Sequence, residues 1–170
     1  MHKKLKKLHS AISAVVGEAT IEDLTRHPEG KWSTAEILEH LNLTYLGTIK
    51  NMERRLAEGT PLTSHRKTFD WSRIAVTRLG LFPRGRKSPE RVKPNGTPAQ
   101  QVTAKILENL ARMDDLIARC EFHFKPRKLI ADHPILGPLT ADEWRGFHCA
   151  HGFHHVKQIQ RLRKSPLFQH

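Results

Sequence analysis

A chain of 170 residues with 38% hydrophobic content carries enough apolar side chain for one core, which excludes an intrinsically disordered protein. Its net charge of +12 and pI near 10.2 invite a nucleic-acid partner, but the basic residues are scattered over 3–7, 84–93, 125–128 and 157–164, with no helix-turn-helix, zinc-finger or RNA-binding signature. Two cysteines without disulfide or zinc-ribbon spacing, Cys120 and Cys149, point to a reducing compartment, the cytoplasm, and no run approaches the ~18–20 apolar residues of a membrane span.

Leu5, Leu8, Ile12, Val15, Val16 and Ala19 recur at three and four, so the spacing predicts an amphipathic helix over 3–19. The basic start resembles a signal peptide. However, the apolar run 11–17 is short, contains Ser13 and lacks a small-x-small cleavage site, so a mature helix fits better. Thr20 caps a short extra turn to Thr25, and His27-Pro28-Glu29-Gly30 breaks the chain. Ser33 and Glu36 form a capping box, with Trp32 placed as a staple. They open a second helix that runs to Glu58 and stops at Gly59-Thr60-Pro61. Its buried stripe reads Ile37, Leu41, Thr44, Tyr45, Thr48 and Met52, with His40 at the edge.

Residues 59–97 form a long irregular connection, with a short helix expected over 70–82 and an exposed loop rich in Pro, Gly and Arg over 83–98. Such a connection covers a site, makes an interface or simply crosses between helices. A third helix is expected over 98–120, with Thr97 as cap and Pro98 at its first position. Val102, Ile106, Leu110, Met113, Leu116 and Ile117 mark its buried face. A second irregular stretch, 121–139, leads to Thr140, which with Glu143 caps a fourth helix ending near Lys164. Four long helices and no strand alternation predict an all-α four-helix bundle as one domain, 1–165, with long connections between the second, third and fourth helices. Residues 166–170 are expected to fray.

The fourth helix carries four of the twelve histidines. Trp144, His148, His151, His155, Ile159 and Leu162 share one stripe, so the face that should enter the core carries imidazoles. A lone histidine there is ordinarily a satisfied core residue. Several together each need a hydrogen-bond partner when neutral and repel when charged. A cation meets both demands, and His151 and His155, one turn apart, can reach the same one. His40 is the natural third ligand; His9, His123, His133 and His148 compete with it.

The segment Trp32-Ser33-Thr34-Ala35-Glu36-Ile37-Leu38-Glu39-His40-Leu41 resembles the W-S-x-x-E-I-L-x-H-L segment of the DinB-like (DinB/YfiT-like) metalloenzymes. The segment from His151 to Ile159 resembles that family's H-x-x-H-H-x-x-Q-I, in the family's order and roughly 110 residues later. The stretch from His133 to Thr140, followed by Glu143-Trp144, resembles a branch of unassigned function. The resemblance implies one bundle over the whole chain and a metal triad on His40, His151 and His155. It also implies a nickel, zinc or other divalent ion and, often, a homodimer. Hydrolase and thiol-dependent transferase are the activities it implies, with a small-molecule substrate and a low-molecular-weight thiol among the candidates.

Three neutral histidines leave a divalent ion with an open position, the catalytic rather than the structural pattern for zinc. Such an ion lowers the pKa of a bound water toward ~7 or activates a thiolate. Glu36 either acts beside His40 or only completes its capping box. Gln158 is an outer partner of His155 or a plain boundary residue. Thr44, Trp144, His148, Phe147 and Tyr45 line a pocket or simply fill the core. Cys149 points ~130° away from the histidine stripe, which argues against a catalytic thiol. Two further readings stand beside the enzyme: a metal-binding bundle without catalysis, and a basic module for nucleic acid.

Overall fold

The computed structural model describes residues 1–17, 19–62, 71–81 and 88–165. Its helices are α1 (Lys3–Gly17), α2 (Ile21–Thr25), α3 (Thr34–Glu58), α4 (Trp71–Leu79), α5 (Ala99–Phe124) and α6 (Ala141–Arg163). A single 3₁₀ turn, Glu90–Val92, precedes α5, and strands β1 (Ala131–His133) and β2 (Gly137–Leu139) precede α6. The chain is mostly helical, in keeping with the expected all-α class. The expected tail 166–170, and the 83–87 part of the expected loop, lie outside the described residues.

Local chemistry explains most of the helix boundaries. The Ser33 hydroxyl accepts from the Glu36 amide while the Glu36 carboxylate accepts from the Ser33 amide, so α3 begins on a closed capping box. Thr140 and Glu143 do the same for α6, and Thr20 and Asp23 for α2. Gly59 ends α3 in the left-handed region, φ 68°, where its amide bonds the carbonyls of Arg55 and Leu56.

Three expectations need correction. Thr97 does not cap α5: its hydroxyl donates to the Glu39 carboxylate instead, and Pro98 stands at the cap without a side-chain bond. The same bond holds the 93–97 segment against α3, so this end of the connection is anchored rather than a free loop. The third long helix continues past Cys120 to Phe124. The stretch after it holds an antiparallel hairpin, in register Ala131 with Leu139 and His133 with Gly137. Strands of three residues are too short to show alternation, and Gly137, at φ 68°, supplies the backbone freedom in its turn.

The core lies where α3 packs on α5 and where α6 packs on α1, α4 and α5. Leu5, Leu8, Ile12, Ile37, Ile106 and Ile117 are fully buried, each worth about 1.5–3 kcal/mol relative to exposure. Two glycines let neighbours press onto α6. A Cβ at Gly146 would lie 2.2 Å from the Thr77 carbonyl oxygen of α4, and one at Gly152 would lie 2.4 Å from Leu8 of α1. Polar ties fix the remainder. Arg145 of α6 pairs with Asp114 and Glu121 of α5, and Arg55 of α3 donates to the Ile130 carbonyl at the foot of the hairpin.

Candidate metal centre

The capping box at Ser33 sets the phase of α3. His40 then falls on its buried side, beside Ile37 and Leu41. The box at Thr140 likewise phases α6, with Trp144, His148, His151, His155 and Ile159 all buried and His154 exposed, as the stripe requires. Packing of α3 against α6 then brings the three expected ligands together. His40 is 3% exposed, His151 9% and His155 8%.

Their ring nitrogens converge. His40 Nε2 and His155 Nε2 each lie 3.1 Å from His151 Nε2, and one ring nitrogen from each of the three residues falls within 4.8 Å of the others. The outer nitrogens are held from behind. His40 Nδ1 lies 2.7 Å from the Val92 carbonyl oxygen, and His155 Nδ1 lies 2.9 Å from Gln158 Oε1. A carbonyl oxygen only accepts, so both rings carry their proton on Nδ1 and turn a bare Nε2 inward. Trp32 packs against the His40 ring at 5.3 Å between centroids, and Phe147 stacks on His151 at 5.3 Å and 12°.

The charge state follows from burial. Burial pushes His151 well below its ordinary range, helped by its two imidazole neighbours. Burial and the neighbouring His40 hold His155 down to about 3, partly opposed by its bond to Gln158. His40 is also lowered by burial, against the raising effect of the Val92 carbonyl. Three neutral rings therefore present two bare nitrogens to a third ring that can offer at most one N–H. A cation among them satisfies all three at once. Ligand nitrogens about 2.0–2.1 Å from one ion, at angles of about 90–109°, stand roughly 2.8–3.4 Å apart. The two distances of 3.1 Å fall in that range. The residues present fit a divalent metal ion.

The other candidates sit elsewhere. Glu36 is engaged in its capping box. The Thr44 hydroxyl donates to the His40 carbonyl oxygen at 2.8 Å, inside its own helix. His148 bonds Thr48 at 3.0 Å and stacks on Trp144, which is core at 2% exposure. His133 Nδ1 accepts from the amides of Ile135 and Leu136 in the hairpin turn. His123 is exposed and His9 half-buried, and neither belongs to a three-ligand group among the described residues. Cys149 Sγ meets the Lys4 carbonyl of α1. Gln158 stands where an outer partner should. Sequence reasoning missed Val92, because a backbone carbonyl has no residue signature, and it missed the carboxylate of Glu39 that anchors the segment after Val92. The x at Glu39 in the quoted motif concealed that role.

Residues 3–162 match the model of a family described as "Protein of unknown function (DUF1569)", and the chain belongs to that family. No curated protein and no solved structure matches the chain.

Proposed function

We propose that this member of the DUF1569 family is a metal-dependent enzyme of the DinB-like four-helix-bundle type, with His40, His151 and His155 holding one divalent ion, nickel or zinc. Hydrolysis or thiol-dependent transfer on a small molecule is its reaction. The single observation that carries the reading is the meeting of three buried Nε2 atoms, with a carbonyl oxygen set against the far nitrogen of each of the two outer rings. The four long helices α1, α3, α5 and α6 support the bundle reading. The two segments that resemble DinB-like motifs supply all three histidines.

A divalent ion in this cradle supplies Lewis-acid polarisation and lowers the pKa of a water or thiol in its open position. The chain's own part is orientation. Val92 and Gln158 fix the tautomers of His40 and His155. Trp32 and Phe147 pack against His40 and His151 and limit their rotation. Burial keeps the rings neutral, so no proton has to leave before they act as ligands near pH 7. A low-molecular-weight thiol as co-substrate, and a homodimer as the working form, belong to the same reading.

A second reading is a metal-binding protein without catalysis. It is favoured by the one carboxylate expected near the triad, Glu36, being engaged as a cap. The test is turnover by the zinc- or nickel-loaded chain on panels of esters, amides and thiol-acceptor pairs, beside His151→Ala. Activity that vanishes in His151→Ala supports the enzyme. Silence across the panels, with metal bound, supports the second reading. Sequence-specific DNA or RNA binding at physiological salt that survives both EDTA and His151→Ala would overturn both.

A further inference from the structure

We propose that Glu39 is a positioning residue for the metal centre. It straps the 93–97 segment across α3, so that the Val92 carbonyl holds the His40 ring in its ligating tautomer. The inference rests on the metal reading above and adds a residue outside the triad.

Glu39 is a carboxylate at 2% exposure. Burying a charge is costly unless it is well bonded. Here one oxygen, Oε1, accepts from the Asn95 amide at 3.3 Å, the Thr97 amide at 3.2 Å and the Thr97 hydroxyl. Gly96, at φ 87°, is the link between those two amides, in a conformation that L side chains rarely adopt. The next residue on α3 is His40, whose Nδ1 lies 2.7 Å from the carbonyl oxygen of Val92. Two consecutive residues of α3 therefore hold the same strap at two points. Val92 and Asn95 are three residues apart, at most about 10–11 Å of extended chain. Anchoring Asn95 and Thr97 thus restricts where the Val92 carbonyl can lie.

The carbonyl has no proton to give. It therefore admits only the Nδ1–H form of His40 and directs the bare Nε2 toward His151. Were the strap released, water would replace the carbonyl. Water donates as readily as it accepts, so either tautomer would be tolerated and the ring could turn. Outer partners of metal-binding histidines carry effects of this kind, about 10–100-fold in metal affinity.

The experiment compares the full-length chain with Glu39→Ala and Glu39→Gln by three readouts. These are the ring-nitrogen NMR signals of His40 in the metal-free chain at pH 8, the zinc Kd by competition with a chromophoric chelator, and the metal-free Tm. In Glu39→Ala the single Nδ1–H tautomer should give way to an average of both forms, and the zinc Kd should rise about 10–100-fold. Glu39→Gln keeps an acceptor oxygen and should restore the tautomer and most of the affinity. A Glu39→Ala chain that keeps tautomer and Kd overturns the proposal, whatever its Tm, because Glu39 would then be structural only. Should Glu39→Ala not fold, the pair Glu39→Gln with Thr97→Val weakens the same strap. A several-fold rise in Kd then supports the proposal and the parent Kd overturns it. A parent that binds no zinc, with the tautomer still lost in Glu39→Ala, upholds the strap and sinks the metal reading instead.

Discussion

His148 and His151 sit one turn apart on the same buried stripe of α6, yet their surroundings differ in kind. His148, with no exposed surface, is packed between Tyr45 and Trp144, and its Nε2 meets the Thr48 hydroxyl. That hydroxyl lies 3.2 Å from the Thr44 carbonyl oxygen and donates to it, so His148 Nε2 is the protonated nitrogen of an ordinary core histidine. His151 instead faces two further Nε2 atoms, both bare. Burial alone therefore does not mark a ligand. The mark is where the neighbours' protons point, and here Val92 and Gln158 draw them outward.

Breaking each member in turn gives the largest contrast. His151→Ala should abolish metal retention, a loss of two orders of magnitude or more in affinity, because it removes the nitrogen that both others face. His148→Phe should change the zinc Kd by less than about threefold, since its ring is bonded to Thr48 and meets the triad through the packing of Phe147 on His151. Equilibrium dialysis of both variants against zinc decides this. Equal metal loss in the two would collapse the distinction between the regions.

Metal removal comes next in size. Metal bound at a concentration about 1,000 times its Kd stabilises by about 4 kcal/mol, which for a chain of this size is a Tm shift on the order of 8–16 °C. Calorimetry with and without EDTA should show that shift in the parent and in His148→Phe, and none in His151→Ala. Gln158→Leu should be milder. It leaves the three ligands in place but takes the acceptor from His155 Nδ1, so the Kd should rise about 10–100-fold with the metal stoichiometry kept. Affinity unchanged in Gln158→Leu would make that residue a plain boundary side chain.

A last effect is read in the metal-free chain, in the dependence of stability on acid. Burial holds His148 down to about 3, and burial with Arg91 holds His133 down to about 4. Both fall below the ordinary value of 6.5, so in acid the unfolded chain takes up protons that the folded chain refuses. The stability that these residues contribute is complete above about pH 6.5 and is lost as the pH falls toward 4. The loss is at most about 1.4 kcal/mol per residue per pH unit. Burial lowers His40, His151 and His155 as well, so urea unfolding of the metal-free chain between pH 7 and 5 reads both regions together, and the share of His148 is the difference between the parent and His148→Phe. His148→Phe should flatten the slope, and an unchanged slope would remove His148 from the account.

Much of this was legible in the chain because it is local. The Ser33–Glu36 and Thr140–Glu143 spacings fix where α3 and α6 begin, and the four-residue interval of His151 and His155 fixes that they share a face. What distinguishes His148 from His151 is not local. It depends on Thr48 and His40, at different heights of α3, and on a carbonyl contributed 52 residues beyond His40. Thr97 misled for a related reason. A threonine before Pro98 looks like a helix cap, but a buried carboxylate on another helix took its hydroxyl. The hairpin was missed because three-residue strands leave no pattern to read.

The most direct measurement of the central claim is elemental analysis of the purified, untagged chain after loading with zinc or nickel, beside the variant with His40, His151 and His155 all changed to Ala. The expected result is about one metal ion per parent chain, the count that a single three-nitrogen site allows, and almost none in the variant. A parent that retains no metal after loading, or a variant that retains as much as the parent, would contradict the account.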